Sequence, residues 1–387
     1  MTYQERARAY FAKMPSVSDQ LEKYRGAGPG FDFWRFSLSA SIIFLHTFHV
    51  CYGTAIGGGK ITFLDPANGA ILPIFFGLSG FLVAGSAIRT EKLSTFLGFR
   101  AIRLMPALSV EVTLAAIILG PALTTIPLLQ YFTHHDFWAY WGNIIGRVRY
   151  HLPGVFENNP LPLTVNGNLW TLHAELVCYG IMAAAMLLGI LRQRRALFAF
   201  WLIATAVMTT LTFTNGWFVG RALYPHSLWI YAFCTGVVAF VWRDKIILSP
   251  VLAVAMVGLY LALYFVKDLS VVAILPLIYI MIWVGMQPKL QSRFFKKGDY
   301  SYGLYLYGFV IQQTIALVLP DAREWWIMFP LSLLLTLGFA IVSWHLIEKP
   351  ALRLKKFISR RAAAPAGTAT PHEIRPEEQA RLAAAEI

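Results

Sequence analysis

An all-α, polytopic bundle of about ten membrane-spanning helices is predicted for this chain by three observations. Apolar residues fill 57% of its 387 positions and charged residues only 14%, against about 25% charged in soluble domains. The mean hydropathy is +0.57. The apolar residues gather into segments close to the ~20 residues that cross about 30 Å of hydrocarbon. A soluble core is excluded. The net charge of +13 then has a source other than nucleic-acid binding, namely Lys and Arg held in cytoplasmic connections.

The first span, 33–52, reads FWRFSLSASIIFLHTFHVCY and carries Arg35 and His46. An ionisable residue inside a span marks a functional site by default. His46 follows Arg35 by eleven residues. That is about three helical turns, so the two side chains share one face, about 16 Å apart along the axis. Arg35 also has a plainer reading, snorkelling to the cytoplasmic headgroups. His46 lies about 20 Å from that face, beyond such reach. Its expected role is base or nucleophile, with a structural histidine as the alternative. His49, one turn on, is a weaker second polar group.

The second span, 69–88, contains PIFFGLSGFL, whose small residues Gly77, Ser79 and Gly80 suit close helix packing; the alternative is room for a cofactor arm. The third, 104–122, is entered through FLGFRAIRLMP, with Arg100 and Arg103 one turn apart at a cytoplasmic helix start. Guanidinium groups there would grip the phosphates of a donor. The fourth, 171–191, follows NGNLWTLHAE. Glu175 is expected about 8 Å below the external face and His46 about 10 Å below it. Equal depth makes Glu175 the expected partner that orients His46. Trp170 reads as an interface anchor, and His173 points elsewhere on the helix. Further spans are 196–214, 227–242, 250–266, 269–286, 301–319 and 325–347. Tyr300–Tyr307 reads as an aromatic girdle, and His345 and Glu348 as a helix end that Pro350 stops.

Charge bias sets the orientation. Of 33 Lys and Arg, only Lys60, Arg147, Arg149, Arg221, Lys267 and Arg323 fall in one alternating set of connections; apart from Arg35, all others fall in the opposite set. Both termini are therefore expected in the cytoplasm. Residues 1–32 form a cytoplasmic segment, with no apolar leader to be removed. Residues 33–348 form the membrane domain, and 349–387 a cytoplasmic, largely disordered tail. Within 123–169, the aromatic stretch 130–146 is expected at the interface, and the Pro- and Asn-rich stretch 147–169 as an external loop. Cys51, Cys178 and Cys234 form no metal or disulfide pattern and are expected to pack.

Together these motifs resemble the acyltransferase-3 family of integral membrane acyltransferases, over about residues 30–354. Arg35 and His46 match the family's arginine–ten residues–histidine motif. Pro73–Leu82 resembles its FFxLSGFL stretch, and Arg100 and Arg103 its RxxR motif. Leu169–Glu175 resembles its WSLxxE motif, with Thr171 in the serine position and Leu176 where a second acid is more common. Tyr302–Leu306 and Leu346–Pro350 resemble its SYGxYL and LIEKP stretches. The resemblance implies transfer of an acyl group, usually acetyl, from cytoplasmic acyl-CoA to a hydroxyl of a carbohydrate acceptor, such as a surface polysaccharide or lipid-linked sugar. The location it implies is the inner membrane of a bacterium, with the lipid bilayer as partner and no metal. His46, Glu175 and Arg35 would be catalytic, and Arg100 and Arg103 would hold the acetyl-CoA phosphates. The rival expectation is a transporter or flippase for a glycolipid or acylated substrate, which returns its substrate unmodified.

Overall fold

The structure is a computed structural model and describes residues 2–26, 28–57, 65–215, 226–266 and 269–358. Helices account for nearly all regular structure, and no strand occurs among the described residues. The expected tail beyond 358, and Lys60, Arg221 and Lys267, lie outside the described residues.

Two short helices lead the chain, α1 (Tyr3–Ala12) and α2 (Val17–Lys23). Each begins with a capping box, Thr2 with Glu5 and Ser16 with Asp19, which satisfies end N–H groups that water would otherwise solvate. Among the described residues ten helices of twelve residues or more follow: α3 (Phe31–Gly57), α4 (Asp65–Thr90), α5 (Leu93–Leu114), α6 (Trp170–Leu187), α7 (Arg194–Asn215), α8 (His226–Val241), α9 (Pro250–Tyr264), α10 (Ile274–Gly285), α11 (Ser301–Val318) and α12 (Trp325–Ser343). They stand where the apolar segments predict them. Six stretches among the described residues are long and apolar enough to cross a membrane: Phe31–Gly53, Asp65–Thr90, Leu93–Leu123, Gly167–Leu187, Arg194–Thr214 and Trp325–Ile358. Ser227–Val241, Pro250–Tyr264 and Ile274–Gly285 are apolar but shorter.

The core forms where α8 lies along α4. Small residues bring the two backbones together. A Cβ on Gly80 would stand 2.0 Å from the Phe233 carbonyl oxygen, and one on Gly236 2.0 Å from that of Gly77. The small-residue stretch in α4 thus serves helix packing. A second group joins α3, α11 and α12, where Gln312 donates to Ile43 O and Thr47 Oγ1, each at 2.8 Å. Cys51 and Cys178 are buried in apolar clusters as free thiols.

Two helices are continued through π-turns; α5 begins at Leu93, ahead of the expected 104, and α12 runs past its expected end. A π-turn at Ala115–Leu119 carries α5 on into Gly120–Leu123, and one at Trp344–Glu348 carries α12 into Lys349–Arg353. Pro350 does not stop α12. It falls in the first turn of the continuation, where its missing N–H has no helical partner to lose.

The connection 147–169 does not simply lie over the end of the bundle. It turns back into the bundle. Asn168 donates to Tyr305 O at 2.5 Å and Asn166 to Leu306 O at 2.9 Å. Tyr305 lies thirteen residues from the far end of α11 at Val318, so the connection penetrates about 20 Å from that end. Irregular backbone at membrane depth persists only where protein satisfies it. Here Gln313 donates to Leu161 O and Thr164 O, at 2.8 and 2.7 Å, and accepts from Asn159 at 2.8 Å. Gly53 kinks α3 at φ +74°, and its bare Cα leaves room for the Pro160 carbonyl, which a Cβ would meet at 2.8 Å.

Candidate functional site

At one end of the bundle four elements bring their charges together. Arg35 Nη1 and Arg103 Nη2 both bond Asp299 Oδ2, at 2.5 and 2.7 Å. Arg103 Nη1 also lies 3.6 Å from Glu348 Oε2, and Arg35 Nη2 3.2 Å from Asp32 Oδ1. Ser301 ties the other Asp299 oxygen through its hydroxyl at 2.5 Å and its N–H at 3.3 Å. Burial pushes the Asp299 carboxyl up, but Arg103, Arg35 and the Ser301 bonds outweigh it and hold it well below the usual carboxylate range. Arg35 is therefore ion-paired rather than snorkelling. Sequence reasoning passed over Asp299 and took Glu348 for a helix end. The signal for both was the unpaired cost of Arg35 and Arg103 in apolar segments, which demands acids somewhere.

Arg100 and Arg103 part company. Among the described residues Arg100 has no ion pair: Nη2 meets Ser86 Oγ at 3.4 Å, and its guanidinium lies 5.9 Å from both the Phe96 and Tyr179 ring centres. Its Nε is buried without a hydrogen-bond partner. Arg100 thus stands without an ion-paired acid, as do its electrostatic neighbours Arg89 and Lys355 among the described residues.

Glu175 sits at this end too. It accepts the Tyr179 hydroxyl, and its electrostatic neighbours are Arg100 and Arg103. The expected pairing with His46 is not formed. The reason is the re-entrant connection. Because α6 starts inside the bundle beside Tyr305, five residues of helix bring Glu175 down to the level of Arg103, whereas His46 stands about 16 Å along α3 from Arg35.

His46 is partly exposed, with Nδ1 buried and lacking a hydrogen-bond partner. The Phe309 ring meets it edge-on at 5.1 Å and His49 at 6.4 Å, which fixes the plane of the imidazole. His49 Nδ1 is engaged with Leu45 O at 3.2 Å. A Cβ on Gly167 would collide with Phe309 at 2.6 Å, so the re-entrant connection passes close to the His46 site.

Sequence reasoning also missed a polar layer between these levels. Glu111, 2% exposed, accepts Asn166 Nδ2 at 2.8 Å. Tyr305 donates to Asn168 O at 2.7 Å and bonds the Thr171 hydroxyl. A carboxyl in mid-helix of an apolar span was a signal of the same kind as His46. Separately, Gly146, Arg147, Val148, Arg149, Tyr150, Trp170 and His173 line a cleft of about 540 Å³.

With this geometry in place, comparison with known proteins adds the following. A family model described as an acyltransferase domain, Acyl_transf_3, matches residues 29–345. The chain is similar to an O-acetyl transferase of Shigella phage Sf6, 26% identical over 308 residues covering 74% of this chain and 85% of the relative. It is also similar to Nodulation protein 10 of Rhizobium leguminosarum bv. viciae, 24% identical over 380 residues covering 88% of this chain and 98% of the relative. No solved structure matches.

Proposed function

This chain belongs to the acyltransferase-3 family and is an integral membrane acyltransferase, and from that premise we propose that it moves an acetyl group from cytoplasmic acetyl-CoA to a hydroxyl of a carbohydrate. The observation that carries the reading is on α3. Arg35 is locked into the charged end, and His46 stands about 16 Å further along the same face with its Nδ1 free of any hydrogen-bond partner. The O-acetyl transferase relative supports an oxygen acceptor.

On this reading the charged end faces the cytoplasm of a bacterial inner membrane, and ten crossings leave both termini there. Arg100 binds the phosphates of the nucleotide. Arg35 and Arg103, neutralised by Asp299 and Glu348, hold the walls of the entry in place, and Glu175 positions Tyr179 beside Arg100. His46 takes the proton of the acceptor hydroxyl, whose oxygen attacks the thioester carbonyl. The C–S bond breaks and the proton ends on the thiolate that leaves. In the covalent variant His46 attacks first and hands the acyl group on.

The test uses purified protein in nanodiscs with radiolabelled acetyl-CoA. General-base help is worth roughly 10²–10⁴-fold, so His46→Ala should lose turnover by that order while remaining folded. Label retained on the wild-type protein would select the covalent variant. Turnover unaffected in His46→Ala would remove His46 from the chemistry. A substrate moved across the bilayer unmodified would favour the transporter.

A further inference from the structure

We propose that the cleft around Arg147 and Arg149 binds the phosphate of an amphiphile whose hydrocarbon chain stays in the bilayer. It rests on the reading above only in making that amphiphile the acceptor, a sugar carried on a lipid phosphate.

The first observation is charge. Arg147 and Arg149 are both exposed, line the same cleft, and have no ion pair among the described residues. They fall in the set of connections that otherwise carries few basic residues. Two guanidinium groups lining one cleft can grip one phosphate from two directions.

The second observation is that the backbone presenting them is built, not loose. The buried Asn143 amide brackets Arg149, donating to its carbonyl at 2.9 Å and accepting its N–H at 2.7 Å. Val165 N–H bonds Tyr150 O at 2.8 Å, and Gly146 turns the chain at φ +79° against Leu176. The ordering that a binding site would otherwise impose on ligand arrival is already present.

The third observation is location. Trp170 and His173 belong to the first turn of α6, which begins within the bundle. Ile145, 65% exposed, directly precedes the arginine segment, and Val177 and Ile181 continue the exposed face of α6 beyond His173. A soluble anion would leave those apolar side chains unused. A lipid phosphate lays its chain along them and presents its sugar to Tyr150 and Trp170. The volume of about 540 Å³ accommodates a phosphate and a sugar ring.

The experiment reads binding alone, so it can fail while acetyl-CoA turnover succeeds, and the reverse. Full-length protein is placed in phosphatidylcholine nanodiscs carrying a trace of polyprenyl phosphate, uncharged polyprenol or phosphatidylglycerol, and bound lipid is counted by native mass spectrometry. Polyprenyl phosphate should be retained over polyprenol by about tenfold or more, as expected for charge-assisted hydrogen bonds. Arg147→Gln with Arg149→Gln should lose that preference without a change in melting temperature. Arg147→Lys with Arg149→Lys, which keeps charge but not the planar fork, should retain part of it. Equal retention of phosphatidylglycerol and polyprenyl phosphate would support the phosphate site and assign it to bulk lipid; a preference for polyprenyl phosphate assigns it to the acceptor. Retention of polyprenol equal to that of its phosphate, or a glutamine variant that binds as wild type does, overturns the proposal.

Discussion

Asn166 donates its side-chain amide to Oε1 of Glu111 at 2.8 Å, joining the re-entrant connection to the last turn of α5. The same nitrogen reaches Leu306 O, so one side chain ties three elements. Asn166→Ala would leave a buried carboxyl with neither oxygen engaged, since Oε2 of Glu111 has no partner already. The expected loss is about 1–3 kcal/mol for stranding a buried polar group. Thermal unfolding in nanodiscs reads it, and cleavage between 147 and 169 by added protease should accelerate. A variant as stable and as resistant as wild type would show that the connection is held elsewhere.

The two arginines of the FLGFRAIRLMP stretch should separate on mutation. Arg100→Ala removes a cation with no ion pair among the described residues and should raise the KM for acetyl-CoA with little change in melting temperature. Arg103→Ala leaves Glu348 and Asp299 short of a partner and should lower melting temperature first. Identical phenotypes would mean that the pairing in the structure does not divide their work.

Asp299→Asn takes the shared acid from two guanidinium groups at once, leaving Arg35 only Asp32 and Arg103 only Glu348. Because the cluster is partly exposed, the expected loss is at the lower end of the ~3–5 kcal/mol for breaking a buried pair. The sign with pH follows from its depressed carboxyl pKa. The unfolded chain, with a carboxyl near 3.9, binds more protons than the folded one below about pH 4. Stability from Asp299 is thus full above that pH and is lost as pH falls toward the depressed folded value. The variant should show a shallower acid limb than wild type in melting temperature against pH; parallel limbs would count against this.

Gly80→Ala decides between packing and a cofactor arm in α4. The added methyl would collide with the Phe233 backbone, which cannot swing aside as a side chain can. Overpacking of this kind costs about 1–3 kcal/mol and should reduce folded yield. Had the small residues been there for a donor, the variant would fold normally and show only a raised KM.

Helix positions were legible because hydropathy and length are local quantities. The Arg35–Asp299 pair was not, since its members lie 264 residues apart and neither names the other. What misled most was the Asn- and Pro-rich connection. Its composition suits an exposed loop, and only Tyr305, Leu306 and Gln313 on α11 reveal that its polar groups are met inside the bundle. Once that connection is placed outside, Glu175 is placed too far out with it and appears level with His46. Pro350 misled for a local reason, because a π-turn resets the hydrogen-bond register just ahead of it.

The stretch of α3 from Arg35 to His46 has a consequence for which donors can be used at all. If the donor's charge is held at Arg100, one turn below Arg103, its acyl carbon must lie at least about 16 Å away to meet His46. A compact activated acyl group such as acetyl phosphate carries its charge and its carbonyl side by side and cannot occupy both places. On the proposed reading α3 is a ruler, and the protein rejects short donors by their length, however well their acyl group would fit.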